Sequence, residues 1–425
     1  MVNLFTRIFD NLNKLLIIML PPAIITGPFL SDLIVSLSGI LFLLLIILKK
    51  KFKYFKNIIS FSFFLYCLYL IIISATSENN LLSFESSLFY FRFGILVLNI
   101  AYCINYYHKF LKLFGLSFLL VFLFVLIDSY FQLFFGNNLL GFTYAKHRLT
   151  GIFGEERVLG SYLSRCLPFL VALIIINVKN TIKVEFLIFI LIFTSLPIII
   201  FSGERTALFY FILFMILFFL LITNSSKLKL YIFFTSILSF FLVFLLSDSA
   251  RDRMINFTTY QLNIKNELDS GGIRVFSVQH EVIYSTSLKI FRDNYVFGIG
   301  PKLFREVCKK DKYITLSKLD ASINGCQTHP HNTYIQLLTE TGVVGTIPLL
   351  FLLLNNLNTL IKQYFFRVDC SKIHLNNYRI LLFISTLITL WPFVPNGNFF
   401  NNWLSIIYFL PIGFILSDYF KIKYD

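Results

Sequence analysis

Charge is scarce in this chain. Asp, Glu, Lys and Arg make up 14% of 425 residues, against 57% hydrophobic residues. A soluble domain of this size has no interior large enough for that much apolar surface, so the composition excludes a soluble globular protein and sets the class as a polytopic membrane protein. Acidic residues are scarcer than basic ones, 22 against 37, and the resulting charge of +15 reads first as membrane topology rather than nucleic-acid binding. Cysteine is limited to six residues, no pair of which has the spacing of a zinc site. No cleavable signal peptide is expected either. The first apolar segment carries Pro21-Pro22 and no small-residue cleavage site, so it reads as a retained helix.

What the chain has is apolar length. Segments of spanning type fall near 12–30, 33–48, 57–74, 84–104, 110–135, 157–177, 184–201, 205–222, 229–247, 333–356, 378–394 and 401–417. This predicts an all-α membrane protein of about twelve helices, at roughly 17–25 residues per span. Residues 1–425 then form a single integral membrane domain, with 248–331 as a long loop between the ninth and tenth membrane helices.

Lys and Arg in the short connections set an orientation. With the N-terminus inside, the inner loops carry Lys49 to Lys51, Lys53, Lys56, Lys109, Lys112, Lys179, Lys183, Lys227, Lys229, Lys362, Arg367, Lys372, Arg379, Lys421 and Lys423. The short outer loops near 31, 75–83 and 395–402 carry none, so both termini are expected inside. The basic residues left outside are Lys146, Arg148, Arg157, Arg205 and a set in the long loop. Arg205 stands out, because it sits in a tight turn between two membrane helices, where a charge must be wetted or paired.

In the long loop, Ser270-Gly271-Gly272 caps a predicted amphipathic helix from Ile273 to Arg292, with Arg274 in its first turn. Cys308 and Cys326 share this loop, and in an oxidising compartment they are expected to close a disulfide contributing about 3 kcal/mol. The other cysteines, Cys67, Cys103, Cys166 and Cys370, fall in membrane segments or an inner loop.

Thr328 to Leu354 joins these features. Two imidazoles, His329 and His331, flank Pro330 and lead into Thr333-Tyr334-Ile335-Gln336, a capping-box pattern opening a long apolar helix. His331, Arg205 and Arg274 therefore converge on the outer face. Guanidinium forks suit a diphosphate, and an imidazole suits a general base. Pro330 restrains His329, which is expected to shape the approach. Each residue alone has a plainer reading, as a helix cap, an interfacial anchor or a solvated side chain; their shared side carries the case. Gln132, beside Asp128 at the outer end of the fifth segment, and Glu340, two turns into the tenth helix, are candidate supports. Glu85 and Arg92, seven apart, are expected to share one helix face. Gly342 with Thr346 reads as a small-residue packing pair.

Four stretches in order carry a family resemblance. They are Tyr130-Phe131-Gln132 with Arg148-Leu149-Thr150-Gly151; Ser202-Gly203-Glu204-Arg205-Thr206; Gly272-Ile273-Arg274 with Asn294 to Gly300; and His331-Asn332-Thr333-Tyr334-Ile335-Gln336 with Glu340, Gly342 and Gly345. Together, over roughly 120–355, they resemble the O-antigen ligase and polymerase superfamily of bacterial membrane glycosyltransferases. The resemblance implies a metal-independent, inverting enzyme without cofactor in the bacterial inner membrane, working at the periplasmic face. It implies a polyprenyl-diphosphate glycan donor and a lipid A-core or glycan acceptor, with membrane lipids around it and no nucleic-acid partner. On matching positions His331 is the base and Arg205 and Arg274 hold the diphosphate; Asn332, Gln336, Glu340, Arg148, Gln132 and His329 are read beside them as candidate supports. Glu204 departs from the pattern and is expected to neutralise Arg205 in part. O-antigen ligase is the leading expectation. The alternatives are a polymerase, a protein O-glycosyltransferase, against which the lack of a large C-terminal domain argues, and a non-catalytic transporter or flippase, which would carry midplane charges and repeated halves.

Overall fold

Proline and glycine cut the first apolar run into pieces. In the computed structural model α1 (Val2–Ile18) ends before α2 (Leu20–Ile25), which carries Pro at its first helical positions, and Gly27 in a left-handed conformation opens α3 (Pro28–Leu48). Proline has no N–H to give and is best suited to a helix's first turn; here the single helix expected over 12–30 is two, and α3 begins earlier than expected. The described residues are 2–144, 148–223, 226–264, 272–317, 319, 322–365 and 373–424. Lys146, Ser270, Gly271, Arg367, Cys370 and Lys372 lie outside them.

The chain continues through α4 (Ile58–Ala75), α5 (Asn80–Ser87), α6 (Phe91–Tyr106), α7 (Phe110–Phe135), α8 (Leu159–Asn177), α9 (Thr181–Phe201), α10 (Arg205–Leu221) and α11 (Ser226–Leu246). Next come α12 (Asp248–Arg251), a π-helical turn (Asp252–Asn256), α13 (Phe257–Gln261), α14 (Val278–Asp293), α15 (Phe304–Val307), α16 (Thr333–Phe365), α17 (Ile373–Thr389) and α18 (Asn402–Tyr424). Among the described residues there is no strand beyond two isolated bridges.

Among the described residues eight helical stretches are long and apolar enough to cross a membrane, and α10 and residues 402–417 are shorter apolar helices. The sequence expectation of about twelve counted apolar runs. At 17 residues each, α1, α10 and α17 are shorter than the eight, and at 1.5 Å per residue such a helix falls short of a hydrocarbon core of about 30 Å. The interior is built on α8, packed by α17, α7, α9 and α10, while α18 packs on α6. Outward, α4 and α11 present Phe61, Leu65, Ile72, Phe233, Phe234, Leu238 and Phe241. Exposed apolar faces of this extent require an apolar solvent, so the chain is a multi-pass membrane protein.

Two sequence expectations about helices are corrected. The helix predicted over 273–292 starts at Val278, with Ser277 extended ahead of it. The Arg274 amide donates to the Leu262 carbonyl at the end of α13, which holds 272–276 in a non-helical path, so Arg274 precedes the helix rather than lying in its first turn. Glu85 and Arg92 do not share one helix face, because the chain breaks between α5 and α6. Glu85 pairs with Lys302, and Arg92 pairs with Asp32 at 2.9 Å.

Segment 272–317 has a small core of its own, with Ile283, Tyr284, Ile290, Leu303, Phe304 and Val307 in contact with Cys308 and Tyr313. A disulfide joins Cys308 to Cys326, Cα–Cα 5.1 Å. The segment is fastened to the bundle through a break in α16. Gly342 takes φ +65°, ψ −171°, which interrupts the helical ladder. The freed groups find partners in the loop after α14. Val343 and Val344 amides donate to the carbonyls of Tyr295 and Val296, and Ile299 and Gly300 amides donate to those of Thr339 and Glu340. A Cβ on Gly342 would stand 2.2 Å from the Val296 carbonyl oxygen, and one on Gly298 would stand 2.4 Å from the Glu340 carbonyl carbon. Gly342 thus admits a backbone to backbone, rather than serving as the expected small-residue packing pair.

Candidate functional site

Asn332, not Thr333, caps α16. Its side-chain oxygen accepts from the amides of Tyr334 (3.0 Å) and Ile335 (3.1 Å), and its Nδ2 donates to the Pro392 carbonyl. Thr333 and Gln336, the expected capping pair, turn elsewhere because the loop between α17 and α18 offers them partners. Thr333 Oγ1 accepts from Asn396 Nδ2, and Gln336 Oε1 accepts from the Phe399 amide. Gln336 Nε2 donates to Glu340 Oε2 and to Asn398 Oδ1. Glu340 Oε1 in turn accepts from the Phe304 amide. Gln336 and Glu340, both fully buried, therefore position two loops.

His331 lies just before this cap with φ +55°. For a residue with a Cβ that conformation is uncommon and persists where the surroundings enforce it. Here the Asn396 amide donates to the His331 carbonyl at 2.7 Å. Asn396 is itself held by Arg165, whose guanidinium donates to Asn396 Oδ1 at 2.8 Å, to Ser161 Oγ at 3.0 Å and to the Tyr210 hydroxyl at 3.3 Å. Arg165 is 2% exposed. A buried charge is tolerable only when its donors are used, and here they tie α8, α10 and the α17–α18 loop to the turn that carries His331.

Three imidazoles meet at this point. The His331 ring centroid is 4.1 Å from that of His329 and 6.0 Å from that of His280 on α14. Burial holds His331 below the ordinary histidine value of 6.5. Burial, then the neighbouring His331, lowers His329 to about 3, and burial with His331 and Arg205 lowers His280 to about 4. All three are neutral at pH 7, the form in which an imidazole accepts a proton.

Arg205 opens α10 after the Ser202-Gly203-Glu204 turn. Glu204 does not neutralise it, contrary to expectation. Its carboxyl accepts from the amides of Gly160 (2.8 Å) and Ser161 (3.1 Å) at the start of α8, and burial pushes it up to about 8 against the pull of those amides. Arg205 has no carboxylate partner among the described residues, and its guanidinium stands over the ring of Phe257, 5.8 Å from the centroid. Arg148 packs across Gly203, and the Leu149 amide donates to the Phe201 carbonyl, which brings the loop after α7 to this turn. Arg274 is placed differently, in an ion pair with Glu281, the residue after His280. Gln132 is buried and accepts from the Thr150 and Gly151 amides, so it shapes the loop that carries Arg148, as Asp128 does through the Asn138 side chain and the Leu139 amide.

The structure thus brings His331, His329, His280 and Arg205 together, with Arg148 on the turn beside Arg205. It sets Gln132, Asn332, Gln336 and Glu340 as supports and holds Arg274 on a carboxylate. Sequence reasoning missed Arg165, Asn396 and the part played by His280. Arg165 had a visible signal, a lone charge inside the apolar run Leu159–Asn177. Among the described residues no group of three or more His, Cys, Asp or Glu is arranged to hold a metal ion.

Residues 186–350 match the model of the O-antigen ligase family, a stretch running from α9 into α16 and containing Arg205, Arg274, His280 and His331. No curated protein matches the chain. The family match supports the O-antigen ligase superfamily, and with it a ligase- or polymerase-type function using a lipid-linked glycan donor and a glycan acceptor.

Proposed function

We propose that this protein is an O-antigen ligase-like glycosyltransferase that moves a glycan from a polyprenyl diphosphate to a sugar of the lipid A core. The observation that carries the proposal is His331. It is a neutral imidazole held in a left-handed conformation by the Asn396 amide, in a cluster whose His280 lies within electrostatic reach of Arg205. In this reading His331 takes the proton from an acceptor hydroxyl as its oxygen attacks the anomeric carbon of the donor glycan. The bond from that carbon to the diphosphate oxygen breaks, and the lipid diphosphate leaves with its charge held by guanidinium groups. A single displacement inverts the anomeric centre and needs no metal. The site then faces the periplasm, with 248–331 on that side of the inner membrane and both termini in the cytoplasm. The Cys308–Cys326 disulfide suits that compartment.

The deciding experiment is the glycolipid profile of a deletion strain complemented with the wild type or His331→Ala. Unligated lipid-linked polymer in both the deletion and the variant is the expected result. Single repeat units on the core would assign a polymerase instead, and normal glycolipid with His331→Ala would remove the base role. Activity in EDTA should be full; loss restored by a divalent ion would overturn the metal-independent mechanism.

A further inference from the structure

The turn that carries His331 is held from its two sides by different means. On the C-terminal side the fastening is main chain and cap, with the Asn396 amide on the His331 carbonyl and the Asn332 side chain on the first amides of α16. On the N-terminal side run Gln327, Thr328, His329 and Pro330, and among the described residues these make no main-chain hydrogen bond. Pro330 has no N–H to offer. The first firm point ahead of them is Cys326, joined to Cys308. Cys308 ends α15 and is 0% exposed, inside the small core of segment 272–317.

The approach to Cys326 is pressed onto α14. A Cβ on Gly325 would stand 2.0 Å from Thr286 Oγ1 and 2.6 Å from the Val282 carbonyl oxygen, so the chain passes there only as bare backbone. Val282 and Thr286 lie within two turns of His280 on the same helix. On the other partner of the bond, α15 brings Arg305 within electrostatic reach of His329. One covalent link therefore ties together the elements that carry His280, Arg305 and the His329–His331 turn. What else fastens the approach is slight. The Gly325 amide donates to the Thr315 carbonyl and the Ser317 amide to that of Ile323, both at 2.9 Å, and a pairing of that size does not hold alone in water.

We propose that the Cys308–Cys326 disulfide positions the base: it clamps the His329–His331 turn against α14, and glycan transfer requires it to be closed. The proposal rests on the reading of His331 given above and adds a redox condition to it. Cys326 is only partly buried, so a dithiol can reach the bond. Opening takes two electrons and two protons from the dithiol, which becomes a cyclic disulfide, and leaves two cysteine thiols; oxidised glutathione runs the exchange back and ends as two thiols. The titratable and charged groups around the turn are His280 on α14, Arg205 on α10 and Arg305 on α15. None of these is a carboxylate, so release moves the His331 ring from a dry, positive setting into water and raises its affinity for a proton.

The test compares the full-length protein in detergent micelles when oxidised, when reduced with dithiothreitol, and as the Cys308→Ser, Cys326→Ser double variant. Hydrogen exchange reads position, and transfer from a purified lipid-linked donor reads chemistry. Reduction should speed exchange over 324–331 about tenfold or more and leave α14 protected, because the opening is local. Transfer should fall about tenfold or more, the cost of a misplaced base. The acid limb of kcat/KM should move up toward the ordinary histidine value of 6.5, which a loss of stability alone does not produce. Oxidised glutathione should restore the reduced wild type and do nothing for the double variant. Unchanged exchange over 324–331 overturns the proposal, as does unchanged transfer by an active enzyme. Equal acceleration in α14 also overturns it, assigning the bond to the fold of the whole segment. A further fall in transfer when dithiothreitol meets the double variant places the effect elsewhere and overturns it too. Should the double variant fail to fold, the reduced wild type decides alone. The two readings separate. Local release in a protein that transfers no glycan in any state keeps the clamp and removes the enzyme, whereas full transfer with unchanged exchange does the reverse.

Discussion

At the end of the bundle where α6 runs into α7, one partly buried ion pair is closed on itself. Lys49 pairs with Asp10, and the Asp10 carboxylate also accepts from the hydroxyls of Tyr102 (3.1 Å) and Tyr107 (2.7 Å). At the opposite end, where α9 turns into α10 and α16 begins, Arg148 and Arg205 have no carboxylate partner among the described residues and His331 sits in a conformation its side chain disfavours. Both ends are partly buried and both draw on several helices. They differ in what remains unsatisfied. A closed network contributes stability and specifies packing, whereas in the proposed function the uncompensated groups held in place by their surroundings are those that meet substrate.

That contrast can be broken by substitution. The largest effect should come from His331→Ala, with transfer falling about a hundredfold or more, the scale of a general base, while the protein remains in the membrane. In vitro transfer from a purified lipid-linked donor measures it. Arg205→Ala should reduce donor use by a comparable factor, with Arg205→Lys recovering little of it because a point charge does not replace a fork; recovery to wild-type kcat/KM would show that charge alone suffices. Asn396→Ala removes the side-chain partners of Arg165 and Thr333. It should destabilise by about 1–3 kcal/mol per buried group left unpaired and lower kcat more than it raises KM. A pure stability loss with unchanged kcat would assign Asn396 to packing alone.

The pH dependence sharpens the same comparison. Burial lowers His331, so the neutral base is fully present above 6.5 and is lost only as pH falls through a value below that. The acid limb of kcat/KM should therefore lie below 6.5, and one above it would point to another group. The same shift makes the folded state prefer the neutral ring, so its contribution to stability is present above 6.5 and is lost toward acid. The smallest effect on catalysis belongs to the other end. Asp10→Asn should lower the melting temperature through loss of about 1–3 kcal/mol and leave turnover per folded molecule unchanged.

The sequence carried the class of the protein through composition, and through local motifs it placed His331 just ahead of one helix and Arg205 at the start of another. What it withheld depends on contacts between distant positions. Nothing in Thr333-Tyr334-Ile335-Gln336 reveals that residues 396–399 will claim both ends of the apparent capping box. Glu204 looks like a partner for Arg205 because the two are adjacent, yet adjacency on a chain does not set direction. The carboxylate turns to α8, where two free amides wait. The start of α14 was misplaced because periodicity continued through Ile273 and Phe276, while a single backbone bond from Arg274 to Leu262 pulled those residues away.

The break at Gly342 has one more consequence. Residues 295–300 are clasped to α16 by main-chain groups, and the tight contacts at this seam fall on Gly298 and Gly342. The side chains of Tyr295 and Phe297 take no part in those bonds and stand 61% and 59% exposed. The clasp therefore fixes where this rim stands without fixing what it displays. Related chains can change the aromatic face offered beside the bundle and keep the same fastening, provided both glycines stay.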